Sequence, residues 1–352
     1  MKTVPLGELI KPAKTVKAGE NEYPILSMTM HNGLMDQNQK FKKNIASKDL
    51  SGYKVVKRGQ LVVSFPIDEG VLDFQQLYDE AIVSPAYGIW DVIDGVEVDI
   101  DYLGLALRSE RSLMYYKAKL QGSTARRRSL PKEVFLALPV ELPSLDRQKN
   151  EVKKTRLQKQ IEQKRERQRE LLAELEKSVF IDMFGNPFTN PKKLPMARLG
   201  DVAGVLTGNS PPRADESNFG SAIEWIKSNN LGGRIATEAE EWLSKSGKQK
   251  ARIAPAGSVL VTCIAGSRDS IGKCSLVDRD VAFNQQINAI LPSENLPAEF
   301  ILMQLKTFPE LVRQKSSGGM KGLVSKSQFC EIKLITPDIE IIKSFLQIVD
   351  KI

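Results

Sequence analysis

The sequence predicts a mixed α/β (α+β) protein built as two similar domains separated by one long helix, and three observations carry that prediction. Residues 147–177 contain neither proline nor glycine and hold 11 basic and 6 acidic residues, which is the pattern of a solvated helix. Short apolar runs bounded by turn residues lie on both sides of this segment. Pieces of the first flank recur, in the same order, in the second.

The helix has a start and a stop. Pro143 and Ser144 supply the first, and Gly185-Asn186-Pro187 the second, because glycine accepts the left-handed cap and proline cannot continue the hydrogen-bond ladder. Within it, Leu157 and Ile161 are four apart, and Leu171, Leu172, Leu175, Val179, Phe180, Met183 and Phe184 form a broad stripe at helical spacing. Lys164 and Gln168 interrupt that stripe at heptad-compatible positions, so coiled-coil packing against another segment is predicted along part of the length only. Leu171, Leu175, Val179 and Met183 are the candidates for docking a partner.

Strand-like runs are read at 54–64, 81–93 and 134–142 before the helix, and at 257–265, 281–291 and 328–336 after it. The echoes between the flanks are specific. Pro5-Leu6-Gly7-Glu8-Leu9 matches Arg198-Leu199-Gly200-Asp201-Val202, and Arg58-Gly59-Gln60-Leu61-Val62-Val63-Ser64 matches Ala256-Gly257-Ser258-Val259-Leu260-Val261-Thr262. Pro24-Ile25-Leu26-Ser27 parallels Glu224-Trp225-Ile226-Lys227. Leu130-Pro131-Lys132 with Phe135 parallels Val324-Ser325-Lys326 with Phe329 at an offset of 194, and both are read as leading into strands. Chance supplies one such pair more readily than an ordered series. The division predicted is a first domain over 1–144, the helix over 145–184, a second domain over 188–340 and the start of a second helix over 341–352.

Composition narrows the function. With 352 residues, 41% of them apolar, the chain can bury two ordinary cores. Its formal charge of +8 is a modest push towards polyanions. Cys263, Cys274 and Cys330 form no close pair and point to a reducing compartment. With His31 as the only histidine, no metal site is expected. The first residues lack a secretory h-region and no apolar run approaches a membrane span, so a cytoplasmic protein without membrane contact is expected.

Catalytic motifs are approached and missed. Residues 266–274 resemble a phosphate loop, but five residues separate Gly266 from Gly272, and Cys274 replaces the hydroxyl that would reach magnesium. Asn209-Ser210-Pro211-Pro212 departs from the Asn-Pro-Pro-aromatic loop of amino-methyltransferases, since a serine intrudes and Arg213 stands in the aromatic's place. No Gly-x-Gly-x-x-Gly run would cradle a cofactor. Glu331 and Lys333 with Asp278 or Asp280 make a weak nuclease pattern, and charges alternating along a strand usually face solvent. The expectation is a protein without catalytic residues, metal or cofactor.

Nucleic-acid recognition has better candidates. Residues 121–129 form a small basic stretch in which Ser123, Arg126, Arg127 and Arg128 suit phosphate contacts and one arginine could read a guanine edge. Residues 315–322, with Lys321, echo it at lower charge. Arg213, Lys227 and Asn229 in the second half, and His31 and Asn32 in the first, add groups able to hydrogen-bond base edges. Different polar residues on equivalent scaffolds would let each half read a different sequence.

Several of these pieces, in this order, resemble the specificity subunit of type I restriction-modification systems. They are Val179-Phe180-Ile181-Asp182-Met183-Phe184-Gly185-Asn186-Pro187, Leu199-Gly200-Asp201-Val202, Gly208-Asn209-Ser210-Pro211-Pro212, Glu224-Trp225-Ile226-Lys227, Pro255-Ala256-Gly257-Ser258-Val259-Leu260-Val261 and Asn284-Gln285-Gln286-Ile287-Asn288-Ala289-Ile290. The resemblance implies two target-recognition domains, each reading half of a split asymmetric site in double-stranded DNA. It also implies partners: two modification (methyltransferase) subunits that carry the chemistry, and a restriction subunit added to them. The sequence departs from the family where a second long helix would follow residue 341. A non-enzymatic scaffold, docking proteins through the long helix without reading DNA, is the alternative.

Overall fold

The computed structural model describes residues 2–30, 32–37, 49–120, 130–316 and 322–352. Two compact units divide at 164/165, inside a continuous helix, Leu145–Phe184. The division falls there because each end of the helix packs into its own unit. In the first, Val152 is buried, and the buried Gln148 accepts from Asp99 N at 2.8 Å and donates to Pro143 O at 2.8 Å. In the second, Phe180 and Phe184 are fully buried.

The ordered echoes of the sequence have a structural counterpart. The first unit contains a four-stranded antiparallel sheet in the order Ile10–Pro12, Gly88–Val92, Leu61–Val63, Leu72–Phe74. The second contains one in the order Val205–Thr207, Ile287–Ile290, Val259–Thr262, Cys274–Leu276. Alternate side chains of the central strands enter opposite cores, as strand geometry requires. Leu61 and Val62 do so in one unit, Val259 and Leu260 in the other.

A second shared element fixes the candidate site. Ile25 bridges Ile82 in parallel, and Trp225 and Ile226 pair in parallel with Ala282 and Phe283. Ile25 and Trp225 are positions that the sequence echo equates.

Both expected strand starts after Leu130 and Val324 are instead helical turns, Lys132–Leu136 and Lys326–Cys330, followed by the strands Pro139–Leu142 and Lys333–Ile335. The runs read at 134–142 and 328–336 therefore begin in helix. At the second of these, capping chemistry overrides the apolar pattern: Ser325 Oγ accepts from Gln328 N at 3.3 Å, while Gln328 Oε1 accepts from Ser325 N at 2.9 Å. The closing strands pair antiparallel with Lys2–Pro5 in the first unit and Met196–Arg198 in the second.

The last helix, Ile339–Val349, begins where the sequence places a second helix, with Asp338 as its cap and Ile342, Phe345 and Val349 buried. Phe345 and Phe300 meet the end of the long helix: ring centroids lie 4.9 Å apart for Phe184 and Phe300, 5.2 Å for Phe184 and Phe345, and 5.6 Å for Phe180 and Phe300. The middle of the long helix behaves differently, with Leu157, Ile161, Leu171 and Leu175 each 48% exposed. Among the described residues, no helix is long and apolar enough to cross a membrane.

Truncating a fully buried phenylalanine removes its transfer free energy and leaves a cavity. Phe180→Ala is expected to destabilise the second unit by about 3–5 kcal/mol, read by denaturant unfolding, whereas the half-exposed Leu171→Ala costs under about 1 kcal/mol.

Candidate nucleic-acid interface

Six of the ten candidate nucleic-acid contacts are Ser123, Arg126, Arg127, Arg128, His31 and Lys321, and these lie outside the described residues. The other four are Asn32, Arg213, Lys227 and Asn229.

The second unit builds its part of the site from a braced loop and one strand. Gly208 has no alternative: a Cβ there would sit 2.1 Å from Asn284 O and 2.5 Å from Phe283 O. That approach lets Gly208 N donate to Ile287 O at 3.0 Å and Asn209 N to Phe283 O at 3.1 Å. The Asn209 side chain then clamps a neighbouring segment, donating to Lys250 O at 2.8 Å and accepting from Arg252 N at 2.8 Å. Ser210 bonds Gln285, and Asn218 Nδ2 reaches Pro212 O at 3.0 Å. Arg213 leaves this loop fixed at both sides.

The strand Phe219–Ile226 supplies the floor. Ile223 and Trp225 face one core cluster and Ile226 the other. Glu224, on the opposite side from Trp225, is buried and charged, so it needs partners. Arg279 supplies two, one through Nε to Oε2 and one through Nη2 to Oε1 at 3.1 Å, and Ala239 N adds a third at 2.9 Å. The Arg279 hydrogen bonds, ahead of opposing desolvation, hold the Glu224 carboxyl below its usual range.

Two residues past Trp225, and therefore on its side of the strand, Lys227 turns back over the indole, with Nζ 5.2 Å from the ring centroid. Arg213 approaches the same ring at 5.5 Å, so both cations gain from its face. Trp225 is itself locked by Nε1 donating to Asn209 O at 3.4 Å. The expected Arg213 and Lys227 are thus brought together, on one tryptophan.

Asn229 is exposed, next to the buried Asn230, whose amide donates to Thr237 Oγ1 and Glu238 O and whose oxygen accepts from Lys227 N at 3.0 Å. In the first unit, Asn32 is exposed in the turn between Leu26–Thr29 and Gly33–Asp36. That turn is fixed by Asp73, which accepts from Leu34 N at 3.0 Å and lies where a Cβ on Gly33 would sit. Burial pushes the Asp73 carboxyl up, against the hydrogen bond from Leu34 and the charge of Arg108.

Sequence reasoning missed Glu241, which accepts from both Arg213 and Lys227. Nothing in the run Glu238-Ala239-Glu240-Glu241 distinguishes it. Its neighbours in space come from a loop and a strand well upstream.

The enzyme-like motifs disperse. The stretch from Gly266 runs into a buried strand at Cys274 and not into a helix. Burial pushes the Cys274 thiol up to about 12. Glu331 is paired with Arg198 at 3.0 Å, Asp278 with Arg279 at 2.8 Å, and Asp280 accepts from Ala256 N. Among the described residues, no group of three or more His, Cys, Asp or Glu is placed to hold a metal ion.

Of the candidate docking residues, Leu171 and Leu175 are exposed, while Val179 and Met183 are half-buried against the core of their own unit.

Residues 191–352 match the type I restriction modification DNA specificity domain. The specificity subunit of the Haemophilus influenzae type I restriction enzyme HindI is 30% identical over 161 residues, which are 44% of this chain and 34% of that protein. The Escherichia coli EcoR124I/EcoR124II specificity subunit is 21% identical over 159 residues, 44% of this chain and 39% of that one. The match therefore spans about a third of the length of these curated relatives. A solved type I restriction-modification S subunit from M. genitalium aligns over 99% of this chain and 90% of its own with a TM-score of 0.53 at 12% identity, a likeness of fold. The second part of the chain, residues 191–352, is thus similar to the DNA specificity domain of type I restriction-modification systems, the family that the motifs resemble.

The Glu224–Arg279 pair sets a pH signature. A carboxyl whose folded pKa is depressed contributes stability that is fully present above its unfolded value, ordinarily 4.5, and that is lost as pH falls through the folded value. Glu224→Gln is expected to lower the melting temperature at pH 7 by several degrees, roughly the effect of losing 1–2 kcal/mol in a domain of this size. The gap to the parent should narrow as pH drops below 4.5.

Proposed function

We propose that the chain is a sequence-specific DNA-binding subunit that reads a split asymmetric site in double-stranded DNA, one half with each domain, and directs the enzymatic subunits of its system to it. The observation that carries this reading is one scaffold occurring twice with different polar side chains at equivalent positions. Ile25, Ser27 and Thr29 in the first domain correspond to Trp225, Lys227 and Asn229 in the second. A rigid repeated frame with divergent loop chemistry suits readout by base-edge hydrogen bonds. Arginine and lysine over a buried tryptophan suit phosphate contacts.

The chain is proposed to be non-catalytic, since the relatives named above are specificity subunits of restriction enzymes. Two modification subunits, and a restriction subunit joining them, are the partners proposed. Leu171 and Leu175, exposed on the long helix, are the residues proposed to meet a protein partner. The domains are proposed as 1–144 and 188–340, with the helix over 145–184 between them. The cytoplasm is the proposed compartment.

The scaffold alternative accounts for the exposed apolar residues of the helix. It leaves unexplained why a loop and a strand converge two cations on one indole.

Two measurements test the proposal. Replacing Arg126, Arg127 and Arg128 with alanine should weaken binding to duplex DNA and flatten the dependence of affinity on salt by about 0.9 for each phosphate no longer neutralised. Unchanged affinity at low and high salt would remove this stretch from the interface. Exchanging 188–340 for the matching domain of a relative should change one half of the sequence selected from a random duplex pool and leave the other half intact. Change in both halves would refute the two-reader arrangement.

A further inference from the structure

Arg213 and Lys227 already share an anion. Arg213 Nη2 lies 3.2 Å from Glu241 Oε2 and 3.4 Å from Oε1, and Lys227 Nζ donates to Oε1 of the same side chain. A guanidinium and an ammonium converging on two oxygens of one anion is also how these side chains would grip a phosphate. The strand does not need this carboxylate. Glu241 is held there by its backbone carbonyl, which accepts from Trp225 N at 3.0 Å, and by the pairing of Glu224 with its neighbour Trp242.

We infer that Glu241 is an internal stand-in for a DNA phosphate, neutralising Arg213 and Lys227 until a duplex displaces it and thereby suppressing sequence-independent binding. This deepens the proposed function and rests on it. Non-specific affinity comes almost wholly from cations neutralising phosphates. A cation that must first leave a carboxylate gains less from the exchange, and the displaced carboxylate repels the duplex beside it. Base-edge contacts at a cognate site offset that cost; a random sequence offers none, so the penalty falls on the wrong sequences. The side chains are 64% exposed for Arg213, 36% for Glu241 and 25% for Lys227, so a duplex can reach the cluster and rotamer changes suffice for the exchange. The Lys227 hydrogen bond, as the largest influence, holds the Glu241 carboxyl below its ordinary value, which keeps it charged at neutral pH.

The test uses the full chain and a fluorescent duplex of mixed sequence, titrated across a salt series. Glu241→Gln should bind roughly threefold or more tightly, with a slope of log affinity against log salt steeper by about 0.9, the release of one further counterion. Glu241→Thr, which also removes the charge, should match it. Glu241→Asp keeps the charge and should retain the parent's slope. The double variant Arg213→Ala/Lys227→Ala should bind more weakly with a shallower slope.

If the uncharged variants match the parent while the double variant loses affinity, the stand-in role is wrong and DNA binding at this face survives. Equal effects of Asp and Gln would make the effect structural and also overturn the role. If the double variant binds as the parent does, DNA reading at this face falls, and the inference falls with it.

Discussion

The candidate interface of the second unit depends on one short parallel pairing, Trp225 and Ile226 against Ala282 and Phe283. It buries the indole and places Lys227 at the point where the strand surfaces. It also brings the turn after Phe283 under the loop of Gly208, whose backbone approach no side chain would allow. The first unit repeats the pairing as a bridge between Ile25 and Ile82, with an aliphatic residue where the second unit has tryptophan. The pairing is thus the common constraint, and what stands on it differs between units.

Two acidic residues beside this strand illustrate how environment assigns a role. Glu224 is buried, and its oxygens are saturated by Arg279 and by Ala239 N. Removing Arg279 would strand the buried Glu224 charge in low dielectric, so the pair is part of the frame. Glu241 engages two cations at the surface, where screening makes the pairing weak enough to exchange. The same carboxylate chemistry is fixed in one place and replaceable in the other.

The long helix shows a similar contrast along its length. Its ends are buried in separate cores, by Gln148 and Val152 at one and by Phe180 and Phe184 at the other. Between them Leu157, Ile161, Leu171 and Leu175 stay half-exposed, with Lys164 and Gln168 among them. The helix is ordered by what it packs against at its termini, since its charged middle supplies little apolar burial of its own.

The sequence by itself determined the long helix, because the absence of proline and glycine, a proline start and a glycine stop are local signals. It also determined the internal repeat, because ordered echoes survive whatever the chain does between them, and the family motifs, because they are contiguous. It did not determine the turns at Lys132 and Lys326, at the second of which a capping box outweighed an apolar run. Nor did it reveal the split of the helix stripe into exposed Leu171 and Leu175 and packed Val179 and Met183, because periodicity names a face without naming its neighbour. Arg213 and Lys227 were legible as basic residues in plausible loops. Their meeting over Trp225, and the carboxylate of Glu241 between them, was decided only by the tertiary structure, since separate segments must fold before three charges can share one site.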